Sequence, residues 1–318
     1  MQIIKYKDKI DSPFCLDAEH AYLRWREWKL ADYPRDAAQL MVPLARADQL
    51  TAGERDGILA RCRKTGMVIY ALASGDIADK GLVRRLGQAF GLERLDGNLC
   101  ADHDGISSVQ IMEAGRHRDY IPYTDRRLNW HTDGYYNAPD RQIRAVLMHC
   151  VMNAEGGGEN GLLDHEMVYL HLRDTNPLHV EALMQPDAMT IPANVENGRE
   201  LRPAQTGPVF SIDPGTGALH MRYTARSRSI AWKKDRATQA AAAALAELVA
   251  DGAPFVFRYR LAPGQGILCN NVLHCRTAFR DDAAAGHQRL LYRARFYERI
   301  RGTGPAECVM TEERTCSG

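Results

Sequence analysis

An imidazole and a carboxylate two residues apart, His131 and Asp133 in Leu128-Asn129-Trp130-His131-Thr132-Asp133-Gly134-Tyr135-Tyr136, are the clearest chemistry in this chain. In an extended backbone successive side chains alternate, so His131 and Asp133 project from one face and Thr132 from the other. Such a pair can grip one metal ion but leaves it short of a third ligand. The candidate is His274, in Asn270-Asn271-Val272-Leu273-His274-Cys275. Two histidines and one carboxylate on one face of an ion leave the opposite positions open, the ligand arrangement with which non-heme Fe(II) activates oxygen.

Spacing alone is weak grounds for that choice. With 11 His and 40 Asp or Glu among 318 residues, chance supplies 11 × 40/318, about 1.4, pairs of the form His-x-Asp/Glu. Three occur: His131/Asp133, His117/Asp119 and His179/Glu181. His117 and Asp119 sit in a charged run, 115–119, that reads as a solvated loop. His179 follows Asn176-Pro177 at a helix start, where residues two apart face different ways. Only His131 has aromatic residues on both sides and a glycine directly after the acid.

The rest of the composition narrows the setting. Hydrophobic residues make up 45% and charged residues 25%, the balance of an ordinary globular protein with ample core. A net charge of +1 points neither to nucleic acid nor to an anionic membrane surface. The N-terminus lacks the apolar run of a signal peptide, and no stretch approaches the roughly 20 apolar residues of a membrane span. Eight cysteines, at 15, 62, 100, 150, 269, 275, 308 and 316, show no Cys-x-x-Cys pairing. They read as reduced thiols of a cytoplasmic protein, not as a disulfide frame or a zinc site.

The elements that must position the three ligands can be read in order. Residues 1–45 read as a short strand, Ile3–Tyr6, and an irregular arm whose His20, Trp25 and Trp28 either pack on the main body or form a dimer contact, which leaves a homo-oligomer open. Thr51 to Glu54 matches a capping box ahead of a helix that Gly66 ends. Met67–Leu72 reads as a buried strand, Asp79–Phe90 as a second helix, and Ser107–Met112 as another strand. Arg144–Val151 suits a central strand, Glu155–Gly161 a tight turn, and Met167–Leu172 a helix stopped before Pro177. From Ala188 to Arg222 the text is strand and turn. The alanine-rich stretch 237–250 is the clearest helix. Phe255–Leu261 alternates as a strand with Arg258 and Arg260 on a solvated face, Ile267–Cys269 leads to His274, and Arg289–Tyr297 is the last strand. Neither repeat nor linker breaks residues 46–318, which read as one domain.

Four motifs taken in order resemble the taurine dioxygenase (TauD/TfdA-like) family of Fe(II)/2-oxoglutarate oxygenases: Trp130-His131-Thr132-Asp133, Gly157-Gly158-Glu159-Asn160, Asn271-Val272-Leu273-His274 and Arg289-Leu290-Leu291-Tyr292-Arg293. The likeness runs from about Leu50 to Phe296. It implies a mainly β fold with flanking helices, a double-stranded β-helix (jelly roll) with iron at its open end. His131, Asp133 and His274 would then be the iron ligands, and Arg289 would bind the distal carboxylate of 2-oxoglutarate. Asn160 stands where the family carries a Thr that also touches 2-oxoglutarate; it can donate a hydrogen bond but differs in reach.

The chemistry is coherent beside the resemblance. Three protein ligands leave three positions on an octahedral ion, two for a 2-oxo acid and one for O2. The far carboxylate of that acid needs a cation in a mostly apolar pocket, and Arg offers a bidentate fork that Lys does not. Arg289, Arg293 and Arg295 share one strand face, all inside or all outside the barrel. Arg293 starts about 13 Å along the strand from Arg289, too far to share one five-carbon dicarboxylate. In the resembled family the matching Arg often binds an acidic group of the substrate. With Tyr135 as an aromatic wall and Asn129 as an amide, the expectation is a small anionic or zwitterionic substrate oxidised at a C–H bond, with release of succinate and CO2. Two other readings stand beside it: zinc-assisted hydrolysis at the same triad, and a non-catalytic jelly-roll binding protein.

Overall fold

A computed structural model describes residues 12–97, 102–112, 120–250, 255–306 and 308. The strand expected at Ile3–Tyr6 and the pair His117/Asp119 lie outside them.

Two β-sheets face one another, and the period-two alternation of their strands decides what lies between. The larger sheet takes Met41–Leu44 (β1), Met67–Leu72 (β2), Ser107–Val109 (β3), Ala145–Met152 (β5), Gln265–Cys269 (β8) and Leu290–Phe296 (β10), in the order β1-β2-β8-β5-β10-β3. The smaller takes Leu128–His131 (β4), Asn160–Leu163 (β6), Phe257–Tyr259 (β7) and Leu273–Arg276 (β9), in the order β7-β6-β9-β4. Every pairing is antiparallel except that of β1 with β2.

Met67, Ile69, Val146, Ile267 and Leu291 from the larger sheet meet Leu162 and Phe257 from the smaller in one buried cluster, the inside of the sandwich. The alternate residues, among them Val68, Tyr70, Leu147, Leu268 and Phe296, pack on the outer face of the larger sheet. There they meet helices α2 (Ala52–Thr65) and α3 (Lys80–Ala89). On the outer face of the smaller sheet Trp130, Leu163, Leu273 and Cys275 pack with four more helices. These are α1 (Glu19–Leu30), α4 (His165–Thr175), α5 (Pro177–Leu183) and α6 (Arg236–Leu248). The result is a mainly β double-stranded β-helix with helices on both outer faces.

Local signals set several boundaries. Thr51 Oγ1 accepts from the Glu54 N–H at 3.2 Å while the Glu54 carboxylate accepts from the Thr51 N–H at 2.7 Å, so both halves of the capping box are made. Gly66 closes α2 with a φ of +70°. β3 stops at Val109, three residues short of the expected end. Residues 12–45, expected to be irregular, hold α1 and end in β1. Tyr22, Trp25 and Lys29 recur at helical spacing and are the buried face of α1. The six described cysteines, at 15, 62, 150, 269, 275 and 308, form no disulfide with one another. No described helix is long and apolar enough to cross a membrane.

Candidate metal centre

β9 runs antiparallel to β4 with His274 directly opposite His131. Directly opposed residues share a face, so both imidazoles enter the sandwich, with ring centroids 4.3 Å apart. Asp133 arrives differently from the expectation of a continuous strand. β4 ends at His131, because Thr132 is tied to the neighbouring segment: its N–H donates to Tyr223 O at 3.0 Å and its hydroxyl accepts from the Tyr223 N–H at 3.1 Å. The chain then turns at Gly134, whose φ is +67° and whose absent Cβ would lie 2.4 Å from Ile143 Cγ1. Only glycine fits there. The turn returns the Asp133 carboxylate to the side of His131, with Oδ1 3.8 Å from His131 Nε2. One ligand atom from each of His131, Asp133 and His274 lies within 4.8 Å of the others, and all three residues are buried.

The donor set fits a divalent metal. His131 Nδ1 lies 2.8 Å from Asn129 O and His274 Nδ1 3.0 Å from Val272 O. A carbonyl only accepts, so each Nδ1 carries the hydrogen and each Nε2 offers its lone pair. Burial, with His274 alongside, pushes His131 down to about 3, which keeps it neutral. Burial alone would favour a protonated Asp133, but Arg293 and Arg295 outweigh it and hold the carboxyl well below the usual range. Asp133 Oδ2 is buried with no hydrogen-bond partner among the described residues. A buried carboxylate with one oxygen unpartnered, beside two imidazole lone pairs, is what a cation satisfies.

The arginines of the last strand are all inside. Arg289, Arg293 and Arg295 are buried, which removes the reading of three solvated charges. Arg289 lies over the Phe279 ring at 5.1 Å, and its Nη1 is buried without a partner. Burial, then the nearby Arg276, pushes its pKa down to about 9, still cationic at neutral pH. It lines a small cavity with Asn160, Gly157 and Gly158. Asn160 Nδ2 donates to Tyr259 O at 3.3 Å. Leu162 stands opposite His274 and Asn160 opposite Arg276, so Asn160 is two residues, about 7 Å, along the same face from His274.

A second, far larger cavity of about 880 Å³ opens at the triad. His131 and Asp133 are part of its lining, as are Arg293, Tyr135 and Asn129. Arg293 is not wholly free: its Nη1 lies 3.4 Å from Asp133 Oδ1, while its Nε is buried without a partner. Tyr135 and Tyr136 meet edge to face at 5.1 Å, and both line the cavity. His179 lies on α5, away from the triad, in agreement with its expected place at a helix start.

Two residues carry roles that the sequence reading passed over. Arg276, two residues beyond His274 and therefore on the same strand face, is buried over Phe279 at 4.7 Å with its guanidinium on the carbonyls of Thr124 and Arg126. The same alternation that singled out Asp133 could have found it. Asn271, quoted only as part of a motif, bonds the backbone of Asp133 and of Ile143. No spacing rule signals that contact, because it joins residues 138 apart.

The family model described as taurine catabolism dioxygenase TauD, TfdA family matches residues 67–295. Among curated proteins none matches the sequence. Asparagine oxygenase, solved with Fe(II), 2S,3S-3-hydroxyasparagine and succinate, is similar in structure. Its TM-score is 0.53 and its identity 16%, over 91% of this chain and 92% of that one. The non-heme iron oxygenase OrfP, in complex with Fe and alpha-ketoglutaric acid, gives a TM-score of 0.57 at 18% identity, over 87% of this chain and 91% of that one. AAD-2, in complex with Mn(II) and N-oxalylglycine, gives 0.55 at 14%, over 80% and 92%.

Proposed function

Because the chain belongs to the taurine catabolism dioxygenase TauD, TfdA family, and is thus an Fe(II)- and 2-oxoglutarate-dependent dioxygenase, we propose that His131, Asp133 and His274 are its iron ligands, that Arg289 and Asn160 receive 2-oxoglutarate, and that a small anionic or zwitterionic substrate is hydroxylated in the large cavity. The observation that carries this reading is the converging triad with its two oriented Nε2 atoms and bare Asp133 oxygen. Iron with 2-oxoglutarate and O2 supplies an oxidant for a C–H bond, and 2-oxoglutarate leaves as succinate and CO2.

The chain's own residues do the positioning. The Asn129 and Val272 carbonyls hold the two imidazoles in the metal-binding tautomer. Arg293 and Arg295 keep Asp133 anionic. Arg289, a buried cation with an open Nη1, would pair with the distal carboxylate of 2-oxoglutarate. Asn160 lies along the face that joins that arginine to the metal. Arg293, which lines the large cavity, would take the substrate's acidic group, and Tyr135 and Asn129 complete the wall. The similar structures carry hydroxyasparagine and (3S)-hydroxy-L-Arg, small molecules with a carboxylate, which agrees with an anionic anchor.

Anaerobic addition of Fe(II) and then 2-oxoglutarate tests the assignment. Wild type should develop the visible charge-transfer band of a chelated 2-oxo acid, and His274→Ala should not. A band that survives in His274→Ala would remove that histidine from the ligand set. Succinate release across carboxylates, sulfonates, amino acids and neutral analogues tests the substrate class. A neutral compound as the best substrate would overturn it.

A further inference from the structure

The outer part of the large cavity carries more positive charge than one substrate anchor explains. Its described lining holds two carboxylates, Asp96 and Asp133. Both are engaged: Asp96 by Arg295 and by the Tyr297 hydroxyl at 2.7 Å, Asp133 by Arg293 and the metal position. Arg202, Arg226 and Arg228 line the same cavity. Arg202 is fixed, with its guanidinium on Pro192 O and Pro203 O at 2.7 Å each and 5.5 Å from the Tyr136 ring centroid. Among the described residues neither Arg226 nor Arg228 has a side-chain hydrogen bond or an ion pair.

The placement of these arginines is dictated by the metal strand. Thr132 N–H donates to Tyr223 O at 3.0 Å and Ala225 N–H to Trp130 O at 2.7 Å, so Thr224 is bridged to His131 itself. The pairing stops there, because the Arg226 N–H turns back onto Thr224 Oγ1 at 3.4 Å, so Arg226 leaves the bridge two residues past Thr224. The 3-10 turn Ser227–Ser229 then carries Arg228. Arg226 and Arg228 therefore follow directly on the segment that is bridged to His131. Arg293 enters from the other sheet, at the metal.

We propose that Arg226 and Arg228, backed by Arg202, form a second anion-binding subsite, and that the substrate is an elongated diacid with one acidic group at Arg293 and the other at this outer pole. A cavity lined by one sign of charge concentrates ligands of the opposite sign, and two separated poles select for length as well as charge. A monoacid satisfies only one pole. This inference rests on Arg293 as the inner anchor.

The test uses the full chain loaded anaerobically with Fe(II) and saturating 2-oxoglutarate. α,ω-Dicarboxylates from adipate to sebacate are titrated against the monocarboxylates of equal chain length, by calorimetry and by the shift of the charge-transfer band. At least one diacid should bind about tenfold or more tightly than its monoacid, the scale of one added charge-assisted contact. Arg226→Gln/Arg228→Gln should erase that preference while the band without probe still forms. The proposal fails if no diacid outbinds its monoacid, if none of the probes binds, or if the preference survives the double substitution. Absence of the band in wild type would instead sink the iron and 2-oxoglutarate assignment, so the two failures are distinguishable.

Discussion

The side-chain amide of Asn271 holds the backbone of Asp133 from both sides: its Oδ1 accepts from the Asp133 N–H at 2.8 Å and its Nδ2 donates to the Asp133 carbonyl at 2.9 Å. The same Nδ2 reaches Ile143 O at 2.7 Å. Asn271 lies three residues before His274, in the left-handed region at φ +50°, which asparagine tolerates. One residue thus fixes the loop that carries Asp133 to the turn that delivers His274.

Asn271→Gly keeps that backbone conformation accessible and removes the amide, so it isolates the clamp. We expect metal affinity to fall by roughly 10- to 100-fold, the usual cost of losing a group that orients a ligand. Calorimetric titration with Fe(II) or Co(II) reads it directly. Wild-type affinity in Asn271→Gly would mean that the turn at Gly134 holds Asp133 unaided.

His131→Ala, Asp133→Ala and His274→Ala should each abolish 2-oxoglutarate turnover, since each removes a proposed iron ligand. The fold should persist, because the three side chains meet one another at the open end of the sandwich instead of filling its apolar cluster. His179→Ala, on α5, should leave turnover nearly unchanged. Circular dichroism alongside succinate release separates lost chemistry from lost folding. An inactive His179→Ala with a normal spectrum would show that the wrong His-x-acid pair was chosen.

What was legible in the sequence follows the range of each physical signal. Capping boxes, αL glycines and alternation act over a few residues, so α2, Gly66, β2 and β10 are readable as text. The triad was readable because His131 and Asp133 are neighbours in sequence and the His274 motif stands in order with them. Helix α1 was missed although Tyr22, Trp25 and Lys29 repeat at helical spacing, because a lysine on a buried face looks like a break in the pattern. The Arg226/Arg228 wall and the Asn271 clamp depend on contacts between distant segments, which no local rule reports.

Arg289→Leu should leave iron binding intact and raise the 2-oxoglutarate requirement strongly, by roughly 10- to 100-fold on the scale of a lost charge-assisted hydrogen bond. Arg289→Lys should recover only part of it, since an ammonium lacks the fork. The titration is the charge-transfer band against 2-oxoglutarate concentration. An unchanged midpoint in Arg289→Leu would move the anchor to Arg276, the other buried cation beside Phe279.

The last expectation concerns the buried charges that fasten α1 to the body. Lys29, fully buried, lies 2.7 Å from Asp164 Oδ2 and 2.7 Å from Glu166 Oε2, and Arg299 reaches Glu166 Oε1 at 3.2 Å. Burial resists ionisation of Glu166, but Lys29 and then Arg299 outweigh it and bring its pKa down to about 2 from an ordinary 4.5. A carboxyl whose folded pKa is depressed contributes stability that is fully present above its unfolded pKa. That contribution is lost as pH falls through the folded value. Glu166→Gln removes the charge, takes from Arg299 its carboxylate partner and leaves Lys29 with Asp164 alone, so at neutral pH it should cost up to about 3 kcal/mol. The gap between wild type and Glu166→Gln should then narrow as pH drops from about 4.5 towards 2. Urea unfolding of both proteins at a series of pH values measures it. A gap that stays constant or widens over that range would show that Glu166 does not carry the charge that holds α1.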